Sequence, residues 1–369
     1  MHYALLLAGL GTALLGPILP VLAHDWQLKD AQSGLLMMAK FCGAFLGGVT
    51  VQRRLRRSLC LGLGAAAVGF GGFAMAPGLA AGCATLLVGG YGLGQIIAST
   101  NILAGRRFLA HRAASLALLN FSFSLGAMLS ALLSAWLLPY FALRPLLLGF
   151  AALLLAGLAA LLLQQRNTAE ELEIAVPVSA EEPHLRHQLY LYFAALLVLY
   201  GGLETCMSGW LTTYALRYGD RSLALSEYTT LLLWGMLTVG RVLASGVLRY
   251  VSEQRVQRVS LGLAALFTAA LAVAHGAWPI AAIAMALGLS LAAFFPATFS
   301  LLMAEHPSAR QAGVVLAVSG LGAAALPWLM GVISTSSGSL QRALVLPWAA
   351  AVALLGLSWG YHGRGQALR

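Results

Sequence analysis

The sequence predicts an all-α polytopic membrane protein, with twelve transmembrane helices in two pseudo-symmetric halves of six. Three observations predict it. First, the 369 residues are 60% hydrophobic and only 9% charged, against about 45–50% and about 25% in a soluble domain; mean hydropathy is +0.84. Second, the apolar residues form continuous runs near the ~20 residues a helix needs to cross a bilayer. A membrane barrel would show ~10-residue alternating segments instead. Third, the two halves of the chain repeat each other. Too few polar residues are present to coat a soluble globule, and the same composition excludes a disordered chain or a small disulfide scaffold.

The first apolar run, 3–23, starts almost at once and lacks a basic leader region, so it reads as a span and not as a cleaved signal. The second, 31–51, holds Lys40 midway, and the third, 58–76, follows a basic loop and ends at Pro77-Gly78. Spans 79–103, 113–137 and 143–163 are separated by Pro139 and by Arg144-Pro145. Residues 164–187 then change character. They hold five of the chain's twelve acids and form a polar linker between an N-terminal half, 1–163, and a C-terminal half, 188–369. The second half contributes spans 188–215, 224–247, 257–275, 278–303, 311–334 and 341–361.

Lys and Arg set the orientation. With the N-terminus inside, fifteen of the 22 basic residues fall in inside loops, among them Arg53, Arg54, Arg56 and Arg57, and five fall outside. Both ends are therefore expected in the cytoplasm of a multi-pass plasma membrane protein, of the bacterial inner-membrane type. On this reading the net charge of +10 marks membrane sides and gives no reason to expect a nucleic-acid partner. The repeat lies at an offset of about 198 residues for Gly48 over Gly246, with a basic loop after each. At an offset of about 196, Leu125-Gly126-Ala127 meets Leu321-Gly322-Ala323. Duplicated six-helix halves place a substrate cavity between them at mid-membrane.

Twelve spans, a central linker and a basic loop after span 2 resemble the major facilitator superfamily. That family's loop signature runs Gly-x-x-x-Asp-Arg-x-Gly-Arg-Arg. Here the stretch reads Gly48-Val49-Thr50-Val51-Gln52-Arg53-Arg54-Leu55-Arg56-Arg57, with Gln52 in place of the acid and Leu55 in place of the second glycine. The resemblance implies an inner gate at Arg53, Arg56 and Arg57. Span 7 carries Tyr200-Gly201-Gly202-Leu203-Glu204 followed by Trp210-Leu211-Thr212-Thr213-Tyr214-Ala215. This looks like the fucose-permease-like sugar branch, which includes sodium-dependent glucose transporter relatives; segments 288–302 and 321–334 look like its spans 10 and 11. The family's proton-carrying acids in spans 1 and 4 have no counterpart here, because neither span contains an acid. The resemblance also implies a working monomer.

Two charges lie deep in the apolar runs. An ionisable group at the bilayer centre costs ~2.5–3.5 kcal/mol on insertion scales, so it normally faces a cavity or a partner. Glu204 in span 7 and Lys40 in span 2 are the candidate ion-coupling residues, and matched depth with opposite charge suggests that they pair directly. Arg241, near the end of span 8, reads as a gate or headgroup contact. Candidate substrate contacts are Gln95, Asn101 and Asn120, whose amides donate and accept as paired sugar hydroxyls do. Tyr200 and Ser208 join them because they share one helical face with Glu204. Among the aromatics, Trp234 and Trp328 are best placed inside their spans to stack on a sugar ring; Trp210, Phe294 and Phe295 are weaker candidates. Gly90-Tyr91-Gly92-Leu93-Gly94 superficially resembles a phosphate loop, but it lies in an apolar span and reads as close helix packing.

The four cysteines and eight histidines form no metal or nucleophile set, and nothing in the chain suggests ATP hydrolysis, so no enzyme activity and no cofactor beyond a coupling H⁺ or Na⁺ are expected. The expected function is secondary transport of a small neutral solute, foremost a monosaccharide, across the lipid bilayer. A drug or metabolite exporter, an uncoupled sugar uniporter and a non-transporting receptor are the alternatives.

Overall fold

The computed structural model describes residues 1–51, 55–107, 112–164, 186–219, 228–305, 307 and 309–360. All regular structure among them is helical. Nine rods are single helices: α3 (Asp30–Val49), α4 (Leu55–Ala74), α5 (Leu79–Arg107), α6 (Arg112–Leu137), α7 (Leu143–Gln164), α8 (His187–Tyr218), α9 (Thr229–Val247), α10 (Glu253–Val273) and α13 (Ala309–Ser337). Three rods are broken in two: α1 (His2–Ala13) with α2 (Leu15–Asp25), α11 (Ala277–Leu291) with α12 (Phe294–Ala304), and α14 (Leu340–Ala343) with α15 (Val345–Leu357). The twelve rods coincide with the twelve expected spans. Ten of them are long and apolar enough to cross a membrane; α3 and α4 miss that measure. Asp30, Gln32 and Lys40 dilute the first, and Arg56, Arg57 and five glycines dilute the second.

The three breaks share a chemical cause. Proline has no N–H to give to the carbonyl four residues earlier, and its ring clashes there. Pro17 and Pro347 each follow by four residues the last residue of the preceding helix, Ala13 and Ala343, and Pro296 follows by four Ala292, the C-cap of α11. Pro327 sits within α13 without ending it.

Packing follows a two-fold pattern. In the first six rods α1 lies on α6, α3 on α5, and α4 on α5 and α7; in the last six, α8 lies on α13, α9 on α11, and α10 on α15. Between the two groups α3 packs on α13 and, equivalently, α9 on α6, while α2 leans on α8. Lipid tails are as apolar as leucine, so helices in a membrane associate by close van der Waals packing across small residues. Gly9 and Gly126 abut the backbone of the partner helix at the α1–α6 crossing, where a Cβ on either would strike a carbonyl oxygen. Gly201 and Gly322 do the same at the equivalent α8–α13 crossing. Gly126 and Gly322 are the repeat pair seen in the sequence, so the repeat records a steric requirement used twice. Gly90 and Gly94 likewise sit against α3 backbone, at Lys40 and Ala44. The expected linker 164–187 lies outside the described residues, apart from its two ends, as does Arg53.

Candidate functional site

A cavity of about 140 Å³ lies where the first six rods meet the last six. At about 10–15 Å³ per water-sized position, it holds on the order of ten. Span 7 supplies its floor: Tyr200, Glu204 and Ser208, at helical spacing, all line it together with Thr205. Asn101 of α5, Asn120 and Phe123 of α6, Phe41 of α3, Trp234 and Arg241 of α9, Phe295 of α12 and Ser319 of α13 complete the polar and aromatic wall.

Glu204 does not pair with Lys40. Its ion partner is Arg241, with Nη2 3.6 Å from Oε1. Arg241 is therefore no headgroup contact: its side chain is 3% exposed, and it projects into the cavity. It lies two turns from Trp234 on α9, so both reach the same space. Its Nη1 donates to the backbone carbonyl of Asn120, 2.8 Å away on α6, which ties the two groups of rods together. The guanidinium also lies 5.7 Å from the centre of the Phe123 ring. Phe123 in turn meets Trp234 edge-on, with ring centres 6.1 Å apart.

Several buried polar atoms here lack a protein partner: Glu204 Oε1, Arg241 Nε, Trp234 Nε1 and Asn101 Oδ1. An unsatisfied buried donor or acceptor costs about 1–3 kcal/mol. Four in one cavity constitute a site whose hydrogen bonds a solute or water completes. Other groups are committed to the scaffold. Tyr200 donates to Leu291 O at 3.0 Å and stacks on Phe294 at 4.6 Å, which fixes the α11–α12 break against α8. Trp210 Nε1 donates to Pro327 O at 3.0 Å and holds α8 to α13.

Five expected site residues are placed elsewhere. Gln95 is buried but turns to α3, donating to Thr50 Oγ1 at 3.0 Å and to the Tyr91 hydroxyl at 3.2 Å. Trp328 is half-buried on α13, beside Gly34, and does not line the cavity. Arg56 donates to Leu161 O at 3.0 Å at the end of α7, a contact inside the first group that spans no gate. Arg57 is exposed. Lys40 reaches back to α1, where Nζ donates to Thr12 O at 2.5 Å.

Sequence reasoning missed one feature altogether. At the far end from the N-terminus, Asp30 accepts two hydrogen bonds from Arg217, both at 2.6 Å, and one from Ser334, also at 2.6 Å. Next to it, the Ala31 N–H donates to Thr335 Oγ1 at 3.0 Å. Burial alone would push the Asp30 carboxyl up. The hydrogen bonds from Arg217 and Ser334 and the charge of Arg217 outweigh it and hold the carboxyl below its ordinary value. This latch joins α3 to α8 and α13 at that end of the bundle. Arg217 counts among the five outside-loop basic residues; the available signal for the latch was one acid and one arginine at adjoining span ends on the same side of the membrane.

The sequence pattern of the Major Facilitator Superfamily matches residues 1–331. The chain belongs to this superfamily. Its fold is also that of solved members. FucP in the outward conformation superposes with a TM-score of 0.67 at 14% identity, over 98% of this chain and 100% of that one. The E. coli fucose:proton symporter FucP gives 0.65 at 17%, over 98% of each. The human organic anion transporter MFSD10 (TETRAN) gives 0.68 at 20%, over 97% of each. In sequence, the chain is 30% identical over 157 residues to the 4-hydroxybenzoate transporter PcaK of Acinetobacter baylyi, covering 40% of this chain and 34% of the relative. The chain thus spans about a third of the length of that curated relative. Its family and its fold are those of membrane-embedded transporters.

Proposed function

We propose that this transporter moves a small ring-bearing solute, foremost a monosaccharide, by alternating access, coupled to H⁺ or Na⁺ through Glu204. The observation that carries the reading is the loose Glu204–Arg241 pair in the central cavity. At 3.6 Å the two charges attract without a hydrogen bond, and Glu204 Oε1 is left without a partner. A proton or cation arriving at that oxygen weakens the hold on Arg241. Arg241 also grips the Asn120 carbonyl across the interface, so loading is felt by both groups of rods. Asn101 and Ser208 offer hydroxyl partners, and Trp234 offers a ring face. The fucose:proton symporter, whose fold this chain shares, moves a solute of this class. The Lys and Arg distribution supports cytoplasmic ends, which would put the Asp30 latch outside.

A second reading has its own support. The unpartnered Arg241 Nε and the surrounding Phe41, Phe123 and Phe295 suit a ring-bearing carboxylate. The names of the 4-hydroxybenzoate and organic anion transporters agree with that class.

Proteoliposome uptake of labelled glucose, fucose and 4-hydroxybenzoate, each with and without a pH or sodium gradient, separates the readings. Gradient-driven sugar uptake that becomes gradient-independent in Glu204→Gln is the expected result. Uptake of the benzoate alone selects the second reading, and gradient-independent uptake unchanged in Glu204→Gln overturns the coupling role.

A further inference from the structure

Lys40 is buried, and a carboxylate would be its ordinary partner; among the described residues none pairs with it. Its ammonium instead lies at the break between α1 and α2, against the last turn of α1. The acceptor is the Thr12 carbonyl at 2.5 Å, and the Phe41 ring centre is 4.5 Å from Nζ. The cavity beside it is about 10 Å³, the size of one water, and no acid lines it. Its wall includes Thr12, Ala13, Gly16, Thr205 and Ser208.

This chemistry follows from two prolines. Pro17 and Pro20 have no N–H to give to the carbonyls of Ala13 and Gly16, the two residues four positions before them. Both residues line the water-sized cavity. The C-terminal carbonyls of a helix carry a partial negative charge that attracts cations. Two further oxygens come from the hydroxyls of Thr205 and Ser208 on α8, across the interface between the two groups of rods. Carbonyl oxygens of a broken helix, completed by hydroxyls, are how membrane transporters hold monovalent ions at the midplane.

We infer that the α1–α2 break is a monovalent-cation site that the chain fills with its own Lys40 ammonium. The ammonium donates to Thr12 O, one residue before the freed Ala13 carbonyl, and the water-sized cavity beside it is lined by both proline-freed residues and by Thr205 and Ser208 of α8. It is separate from the Glu204–Arg241 pair and does not depend on which solute the central cavity takes. Removing the side chain down to alanine leaves the oxygens and opens room for a free cation. Replacing it with methionine keeps the apolar stem and blocks that room.

The test is thermal unfolding of purified full-length protein in sodium, lithium, ammonium or choline chloride at constant ionic strength. Tm of the unmodified protein is expected to be the same in all four salts. Lys40→Ala is expected to melt lower in choline and to regain several degrees, saturably, in sodium, lithium or ammonium. Lys40→Met is expected to melt lower in every salt, with no recovery. Lys40→Ser carries the same comparison if the alanine variant cannot be extracted folded. Equal Tm of Lys40→Ala or Lys40→Ser in choline and in the small cations overturns the inference. So does an equal sodium effect on the unmodified protein. Extraction of a folded Lys40→Met when both smaller variants fail also overturns it, because a neutral stem then suffices.

Discussion

Replacing Asp30 by asparagine removes the charge at the centre of the latch. The carboxylate accepts two hydrogen bonds from Arg217 and one from Ser334, all at 2.6 Å. Fully buried charged hydrogen bonds contribute about 1.5–3 kcal/mol each, and exposed ion pairs about 0–1. Asp30 is 13% exposed and Arg217 39%, so solvent screens the pair and the joint falls between these limits, at about 1–2 kcal/mol. That is a factor of about 5–30 in the balance between closed and open states at this end. Ser208→Cys, in protein whose four native cysteines are replaced, reports it through the rate of labelling by an impermeant thiol reagent applied from the Asp30 side. The rate is expected to rise by about 5–30-fold in Asp30→Asn and by a similar factor in Arg217→Gln. The two together should exceed neither by much, since both remove one joint. Unchanged labelling, or effects that multiply, would refute the reasoning. The pH dependence has a defined sign. The Asp30 carboxyl is depressed in the closed state, so the latch is fully present above the ordinary aspartate value of about 4 and is lost as pH falls through the depressed one. The ratio of the Asp30→Asn labelling rate to the rate with Asp30 intact, in which the pH dependence of the thiol itself cancels, is constant from neutrality down to about pH 4 and falls toward one below it.

The Glu204–Arg241 pair predicts a second cycle. Losing one partner of a buried pair costs about 3–5 kcal/mol, so Glu204→Gln or Arg241→Gln alone should lower Tm more than both together. Lys40 and Glu204 changes, by contrast, should simply add, because the two residues are not in contact. At the helix crossings, Gly322→Val should reduce folded yield sharply, as overpacking against the Val198 backbone costs about 1–3 kcal/mol or more. Gly246→Ala meets nothing within 4 Å and should leave Tm unchanged or raise it slightly. Trp210→Phe removes the donor to Pro327 O and should lower Tm by an amount corresponding to about 1 kcal/mol.

Fold and site were legible to different depths. Every expected span corresponds to a rod, because each rod is specified by a local run of apolar residues. The Tyr200, Glu204 and Ser208 face was also readable, since helical periodicity alone puts the three on one side and all three line the cavity. Partners across helices were not readable. Lys40 and Glu204 match in depth, yet depth says nothing of rotation about each helix axis. That rotation turns Lys40 toward α1 and Arg241 toward Glu204. Gln95 and Trp328 failed as cavity residues for the same reason. The three helix breaks could have been foreseen from Pro17, Pro296 and Pro347.

By itself, then, the sequence determined what the bilayer enforces. In hydrocarbon every backbone N–H and C=O must be satisfied within its own helix, so long apolar runs become rods wherever they occur, and duplicated glycines mark where rods must touch. Only the tertiary structure decided which charges meet. Glu204 joins Arg241, Lys40 meets the Thr12 carbonyl at the α1–α2 break, and Asp30 joins Arg217 at the far end. These contacts link residues distant in the chain, and they depend on the rotation and register of packed helices, which local composition does not encode.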